Sequence, residues 1–399
     1  MARSAAEVTR NSRNNQRPVP FFTQAESFAA LWPLISEQVN DVIDRGKFSH
    51  GHKVAELERA LAEYTGAAHV IGVNSGTDAL VILLRAAGIE PGDEVIVPAF
   101  SFIASASAVV LAGGRPVFAD IEPDSYALDP SAAADAVTAR TRFLLPAHLF
   151  CQLADLDGLV ELADRRGLTM VEDSAEAIGM RWNGRHAGRF GAGGVLSFFP
   201  TKTLGAIGDA GAVLTDDPHL AAVADALRHH GRAGHTINHF PGIATPTAYP
   251  GMNSKMDDLQ AAVLLAKLTR LDAEISRRNH LADAYSARLR GCPGIRRLPA
   301  MVRRTATTNR VCYVYLIEVD ARDELADWLA GQGIGTETYY PAPLHLQPCF
   351  ADLGHRPGDF PVAEAACART LALPLYPDLT DAEVDVVCAA VRRFFGERG

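Results

Sequence analysis

The chain predicts an α/β fold: a large domain built on a mostly parallel sheet with helices on both faces, then a smaller C-terminal α+β domain. Three observations carry this expectation. Between His69 and Leu214, short apolar runs alternate with helix-length amphipathic segments, the rhythm of strands joined by crossover helices. The stretches able to carry chemistry, Asn74 to Ala79, Glu172 to Glu176 and Lys202, each follow such a run, where a parallel sheet opens its carboxyl edge. Beyond about Arg288 the rhythm changes, which marks a separate unit. The expected boundary puts residues 1–255 in the large domain with its N-terminal arm and helices, and residues 256–399 in the small one, entered by a long linking helix.

Taken in order, the chain up to about Pro20 reads as a loose arm. Apolar periodicity predicts helices over Phe28–Val42 and Val54–Tyr64, separated by the Gly46 turn and a glycine-histidine loop. Strands follow at His69–Val73, Glu94–Val97, Pro116–Ile121, Phe143–Ala147 and Leu168–Val171. Helices alternate with them at Thr77–Ala87, Ser105–Ala112, Pro130–Val137 (N-cap Asp129) and Asp155–Arg166. Arg181 to Gly194 is glycine-rich and reads as a loop. The strand Val195–Phe199, a turn, the strand Ala210–Leu214 and the helix His219–Leu227 come next. His229 to Pro250 has little periodicity and reads as a long closing loop, and Met256 to Arg288 as one long helix. The last third predicts a strand at Val311–Val319, helices at Asp323–Leu329, Pro361–Thr370 and Asp381–Phe395, and a loop at Tyr339–Pro348.

With 399 residues, 48% of them apolar, the chain can bury a core large enough for two domains. A formal charge of -9 with arginines scattered along the chain argues against a nucleic-acid partner. No apolar run reaches membrane-spanning length and the first residues lack a signal-type apolar stretch, so the expectation is a cytoplasmic protein with no membrane partner. The six cysteines show no zinc or redox spacing, so free thiols and no metal are expected.

Basic surface is made almost wholly of arginine; lysine occurs only at 47, 53, 202, 255 and 267. Lys202, between an apolar strand and the turn Leu204-Gly205-Ala206, could be an ordinary surface lysine. It could also be an amine nucleophile, a role that arginine, which keeps its proton, cannot fill. Asn74-Ser75-Gly76-Thr77-Asp78-Ala79 opens a helix after a strand, so its amides suit a single phosphate; simple capping by Ser75 explains it equally well. After Leu168–Val171, only one of Glu172 and Asp173 can face a site, because neighbours on a strand point opposite ways; a helix cap by Asp173 or Ser174 is the alternative. An amine able to form a Schiff base, a phosphate cradle and a buried carboxylate are together the minimum for a pyridoxal 5'-phosphate site.

Seven ordered stretches strengthen that reading. They are Gly51 to Glu58, Asn74 to Leu80, Pro98 to Ala104, Val171 to Gly179, Ser197 to Lys202, Gly208 to Gly211 and Asn253 to Ala262. From about Gly46 to Pro377 the chain resembles the DegT/DnrJ/EryC1/StrS family of pyridoxal-phosphate-dependent sugar aminotransferases, of fold type I. The resemblance implies that Lys202 holds the cofactor as a Schiff base and Asp173 pairs with its pyridine nitrogen. It further implies that Gly76, Thr77 and Ser197 bind the phosphate, that Phe102 stacks on the ring, and that Glu176 lies near the cofactor hydroxyl. Asn253 would cross to the neighbouring subunit's phosphate in a homodimer with shared active sites. Three departures stand out: Glu176 where glutamine is common, Cys151 where glycine is common, and Lys255 where arginine is commoner.

The resemblance also implies an acceptor and a donor. The Ser197 to Gly205 and Asn253 to Asp257 stretches look like the branch that aminates C3 of a dTDP- or UDP-linked 3-keto hexose, with L-glutamate leaving as 2-oxoglutarate. The alternatives are a 4-keto nucleotide sugar, a keto-cyclitol, or a non-catalytic cofactor-binding regulator; Lys202 speaks against a sugar dehydratase. His235, His239 and Tyr249 in the long loop, together with Arg232, and His345 further on, are the candidate substrate contacts.

Overall fold

The computed structural model describes residues 18–49, 51–232, 246–300, 302, 305 and 308–396. The expected contacts His235 and His239 lie outside them, as does most of the expected N-terminal arm. The chain runs through α1 (Ala25–Arg45), α2 (His52–Thr65), β1 (His69–Val73), α3 (Gly76–Ala86), β2 (Glu94–Pro98), α4 (Ala104–Ala112), β3 (Arg115–Ala119) and α5 (Pro130–Asp135). It continues with β4 (Thr141–Leu144), α6 (Leu156–Arg166), β5 (Thr169–Asp173), β6 (Arg181–Trp182), β7 (Arg185–His186), β8 (Gly193–Ser197), β9 (Gly211–Thr215) and α7 (Pro218–Arg228). The remainder comprises α8 (Asp258–Leu268), α9 (Leu271–Leu289), β10 (Ile295–Arg297), β11 (Tyr315–Val319), α10 (Arg322–Gly331), α11 (Pro361–Arg369), β12 (Thr370–Leu373) and α12 (Asp381–Gly396).

The main sheet has seven strands in the order β1-β9-β8-β5-β4-β2-β3. Only β9 runs against the rest, since both its neighbours pair with it antiparallel. Both faces are buried, and the pleat sorts the strand residues between two cores. Val97, Val171, Val195 and Val213 join α3, α4 and α7 on one side. Ile96, Met170, Leu196 and Leu214 join α2, α6 and α8 on the other. A smaller sheet, β10-β11-β12, packs with α9, α10 and α12 around a third core. The fold is thus α/β with a smaller C-terminal α+β part, as expected.

Four expectations need correction. The glycine-rich stretch from Arg181 contains a short hairpin, β6 against β7, and β8 already begins at Gly193. The single helix expected from Met256 is two. The Thr269 hydroxyl bonds back to the Ala266 carbonyl (2.7 Å) at the break, after which the chain leaves the α1 and α2 contacts of α8 for the α12 contact of α9. The strand expected from Val311 starts at Tyr315, because the two amides before Val314 bond elsewhere: Cys312 N–H to Asn279 Oδ1 (3.2 Å) and Tyr313 N–H to the Phe150 carbonyl (2.9 Å). The short strands β10 and β12 were not foreseen, and Thr370 opens β12 rather than closing a helix. Among the described residues, no helix is long and apolar enough to cross a membrane.

Candidate active site

The parallel strands carry their carboxyl ends to one edge of the sheet, and the antiparallel β9 brings its amino end there too. Segments from that edge, with three tyrosines from the C-terminal part, enclose a cavity of about 350 Å³. Its walls hold Gly76 and Thr77 after β1, Phe102 after β2, Asp173 and Glu176 at and after β5, and Ser197 and Lys202 at and after β8. These expected site residues therefore meet in one place.

Asp173 reaches the cavity through the pleat. Val171 and Asp173 face the α3 side of the sheet, whereas Glu172 turns the other way. There Glu172 is fully buried; it accepts N–H bonds from Gly188 (2.8 Å) and Phe190 (2.5 Å) and pairs with His148 Nε2 (3.0 Å). His148 accepts the Ala154 N–H on Nδ1 (3.1 Å), so Nε2 is the protonated nitrogen that donates to Glu172. Asp173 is held by the Ser105 hydroxyl on Oδ2 (2.6 Å) and the Ala175 N–H on Oδ1 (3.3 Å). Ser105 in turn bonds the hydroxyl of Ser101 (2.7 Å), which lies in the loop ahead of α4.

Lys202 is placed by a tight turn. Its N–H bonds the Phe199 carbonyl (2.8 Å), the Ala206 N–H bonds the Phe198 carbonyl (2.8 Å), and Gly205 sits where a Cβ would lie 2.3 Å from the Pro200 carbonyl oxygen. Only glycine closes this turn without displacing the backbone. The amine lies 3.0 Å from Glu176 Oε1 and 4.5 Å from the centre of the Tyr313 ring. Glu176 is anchored by the Phe150 N–H on Oε2 (2.9 Å). Burial pulls the Lys202 amine toward the neutral form, but the Glu176 carboxylate, with smaller help from Tyr313 and Asp173, outweighs it and leaves its pKa above the ordinary lysine value.

At the start of α3, Ser75 does cap the helix, accepting the Asp78 N–H (3.1 Å). Capping does not consume the cradle, because Gly76 and Thr77 occupy the first turn, where amides lack helical partners. Gly76 packs so closely on β8 that a Cβ there would lie 2.8 Å from the Ser197 Cβ.

The remaining expected residues fall elsewhere. Asn253 and Tyr249 are exposed and do not line this cavity; Lys255 Nζ donates to Asn253 Oδ1. His345 is buried beside Phe360, with Nε2 3.2 Å from Glu364 Oε1, also away from the cavity lining. Residue reasoning missed Ser105, Tyr313, Tyr339 and Tyr340. No local signal marks the first, because its partner Asp173 comes from a strand 68 residues further along the chain. The tyrosines come from a distant part of the chain, and only the pair before Pro341 hinted at a site loop.

These residues fit pyridoxal phosphate. One amine, two buried carboxylates and an amide-rich helix start share a cavity of small-molecule size. Among the described residues, the buried Tyr340 hydroxyl in its wall has no protein hydrogen-bond partner, so a polar group of a bound molecule has a contact to make.

Comparison with known proteins agrees. The model of the DegT/DnrJ/EryC1/StrS aminotransferase family matches residues 33–392. A dTDP-3-amino-3,4,6-trideoxy-alpha-D-glucose transaminase of Streptomyces venezuelae is 40% identical, over 96% of this chain and 98% of its own. A pleiotropic regulatory protein of Geobacillus stearothermophilus is 38% identical over 94% of this chain and 98% of its own. Among solved structures, S. venezuelae DesV in complex with a ketimine intermediate superposes with a TM-score of 0.88 at 39% identity, covering 95% of this chain and 99% of that one.

Proposed function

The chain belongs to the DegT/DnrJ/EryC1/StrS aminotransferase family, and from that premise we propose that it aminates a keto carbon of a nucleotide-linked sugar, with L-glutamate as donor and pyridoxal phosphate as cofactor. The observation that carries the reading is the meeting of Lys202, Asp173 and the first turn of α3 in one cavity. Lys202 would hold the cofactor covalently, and Gly76, Thr77 and Ser197 would hold its phosphate. Phe102 would lie against its ring and Glu176 near its hydroxyl. Asp173, kept in place by the Ser105 hydroxyl, would keep a proton on the ring nitrogen. When bound, the cofactor supplies an electron sink that makes the α-hydrogen of an amino acid acidic. Lys202, once its amine is free, would carry that proton, with Glu176 3.0 Å away to stabilise the ammonium. Tyr313, Tyr339 and Tyr340 would keep water out of the reacting volume.

The C3 position of a dTDP- or UDP-linked 3-keto hexose is the favoured acceptor, supported by the 40% identical relative whose name specifies a 3-amino product. A second reading, a cofactor-binding regulator, takes its support from the relative named as a regulatory protein. The test is turnover. Cofactor-loaded protein should release 2-oxoglutarate from L-glutamate and then aminate 3-keto nucleotide sugars faster than 4-keto sugars or keto-cyclitols. Binding of cofactor with no 2-oxoglutarate release favours the regulator. Borohydride reduction and peptide mapping should place the cofactor on Lys202; label elsewhere removes the basis of the reading.

A further inference from the structure

The Cys151 and Cys312 side chains share one buried core cluster, although their residues lie far apart in sequence, and nothing in the proposed reaction uses them. They flank a backbone bond, Tyr313 N–H to the Phe150 carbonyl (2.9 Å), that joins the loop after β4 to the segment ahead of β11. Both positions are held from outside the pair: Gln152 Nε2 contacts Cys151 Sγ (3.7 Å), and the Cys312 N–H bonds Asn279 Oδ1 (3.2 Å). Two buried thiols that flank one backbone bond on anchored segments have little distance to cover to reach the geometry of a disulfide.

We propose that Cys151 and Cys312 form an oxidisable dithiol that a small hydroperoxide converts into an intramolecular disulfide across this seam. Side chains only 3% and 4% exposed admit an oxidant of few atoms and exclude larger ones. Interaction with Cys151 and the Arg310 guanidinium favour the thiolate of Cys312, against burial, whereas the same interaction and burial hold Cys151 as the thiol. Cys312 is therefore the attacking sulfur. It displaces the O–O bond of the peroxide, taking one oxygen as sulfenic acid while the other leaves as alkoxide or hydroxide and picks up the thiol proton. The Cys151 sulfur then attacks that sulfur; the S–S bond forms, the S–O bond breaks, and the departing hydroxide takes the Cys151 proton as water. Two thiols lose two electrons and two protons, and one hydroperoxide is reduced to an alcohol or water plus a second water.

The site matters because of its neighbours. Phe150 donates its N–H to Glu176, and the Tyr313 ring lies against the Lys202 amine, so the bridge would lock together both walls that hold this lysine. That consequence rests on the functional reading above; the existence of the bridge does not.

The experiment treats the folded 399-residue chain with hydrogen peroxide, alkylates remaining thiols without reduction, and maps the peptides by mass. Exposed Cys349 serves as the internal measure of oxidation at an accessible thiol. The expected result is a cross-linked peptide pair containing Cys151 and Cys312, released by dithiothreitol, with a rise in melting temperature absent from Cys151→Ser. Oxidation at Cys349 with Cys151 and Cys312 separately alkylated would overturn the proposal. The mapping of the unmodified chain decides even where a variant does not fold, and it holds whether or not the protein transaminates.

Discussion

At the scale of single residues, the pairing of Lys202 with Glu176 makes the first prediction. The carboxylate 3.0 Å away is the main group holding the amine pKa up against burial, so Glu176→Gln leaves burial opposed only by the smaller effects of Tyr313 and Asp173. The pH at which Lys202 becomes reactive toward pyridoxal phosphate should then fall, read as a shift of the loading rate to lower pH; an unchanged profile would mean that Glu176 does not govern the amine. Lys202→Ala should cost ~10² to 10⁴ in amino-transfer rate, the usual worth of a positioned proton carrier. Lys202→Arg should lose as much despite keeping the charge, because a guanidinium does not release its proton. Steady-state rates of the two variants, with folding checked by circular dichroism, test this.

Among elements, the turn after β8 and the β6–β7 hairpin are the informative ones. A Cβ at residue 205 would lie 2.3 Å from the Pro200 carbonyl oxygen, so Gly205→Ala must displace the turn that presents Lys202. A loss of roughly 1–3 kcal/mol in stability is expected, with weakened cofactor loading, measured by denaturant unfolding and titration. In the hairpin, His186 is wholly buried and accepts the Gly179 N–H on Nε2 (2.8 Å), while Nδ1 bonds the Ala187 carbonyl. Burial is the main reason its pKa falls from the ordinary 6.5 to about 4. Between those values the unfolded chain takes up a proton that the folded chain refuses. Stability is therefore full above pH 6.5 and falls as pH drops toward about 4, by at most about 1.4 kcal/mol per pH unit. Denaturant unfolding across that window should show a shallower slope for His186→Gln; an equal slope would assign the acid sensitivity to other groups.

For the whole molecule, the position of Asn253 is the telling feature. It is exposed and outside the lining of its own chain's cavity, while Phe102 at the cavity and Phe199 beside Lys202 are about half exposed (54% and 49%). A second copy of the chain covering this face would bury that apolar surface and bring Asn253 to the neighbouring phosphate site. Mixing subunits tests it: Lys202→Ala and Asn253→Ala proteins, each weak alone, should regain activity when unfolded and refolded together, because the mixed dimer holds one complete site. No recovery, with mixed dimers demonstrated by mass, would place Asn253 outside the site.

Much of this architecture could be read without coordinates. Alternation of apolar runs and helical segments sufficed for nearly every element of the main sheet, because strand and helix periodicity is local. The pleat decided that Asp173 and Glu172 face opposite ways, and the rarity of lysine singled out Lys202. What local pattern does not encode is which distant segment closes a cavity. The break at Thr269, the edge strands Ile295–Arg297 and Thr370–Leu373, the three tyrosines of the cavity wall and the burial of Cys151 and Cys312 in one core all depend on partners far away in sequence. The chain by itself determined the sheet and the residues presented at its carboxyl edge; tertiary packing alone decided what encloses them, since contacts between remote segments follow from the shape of the folded whole.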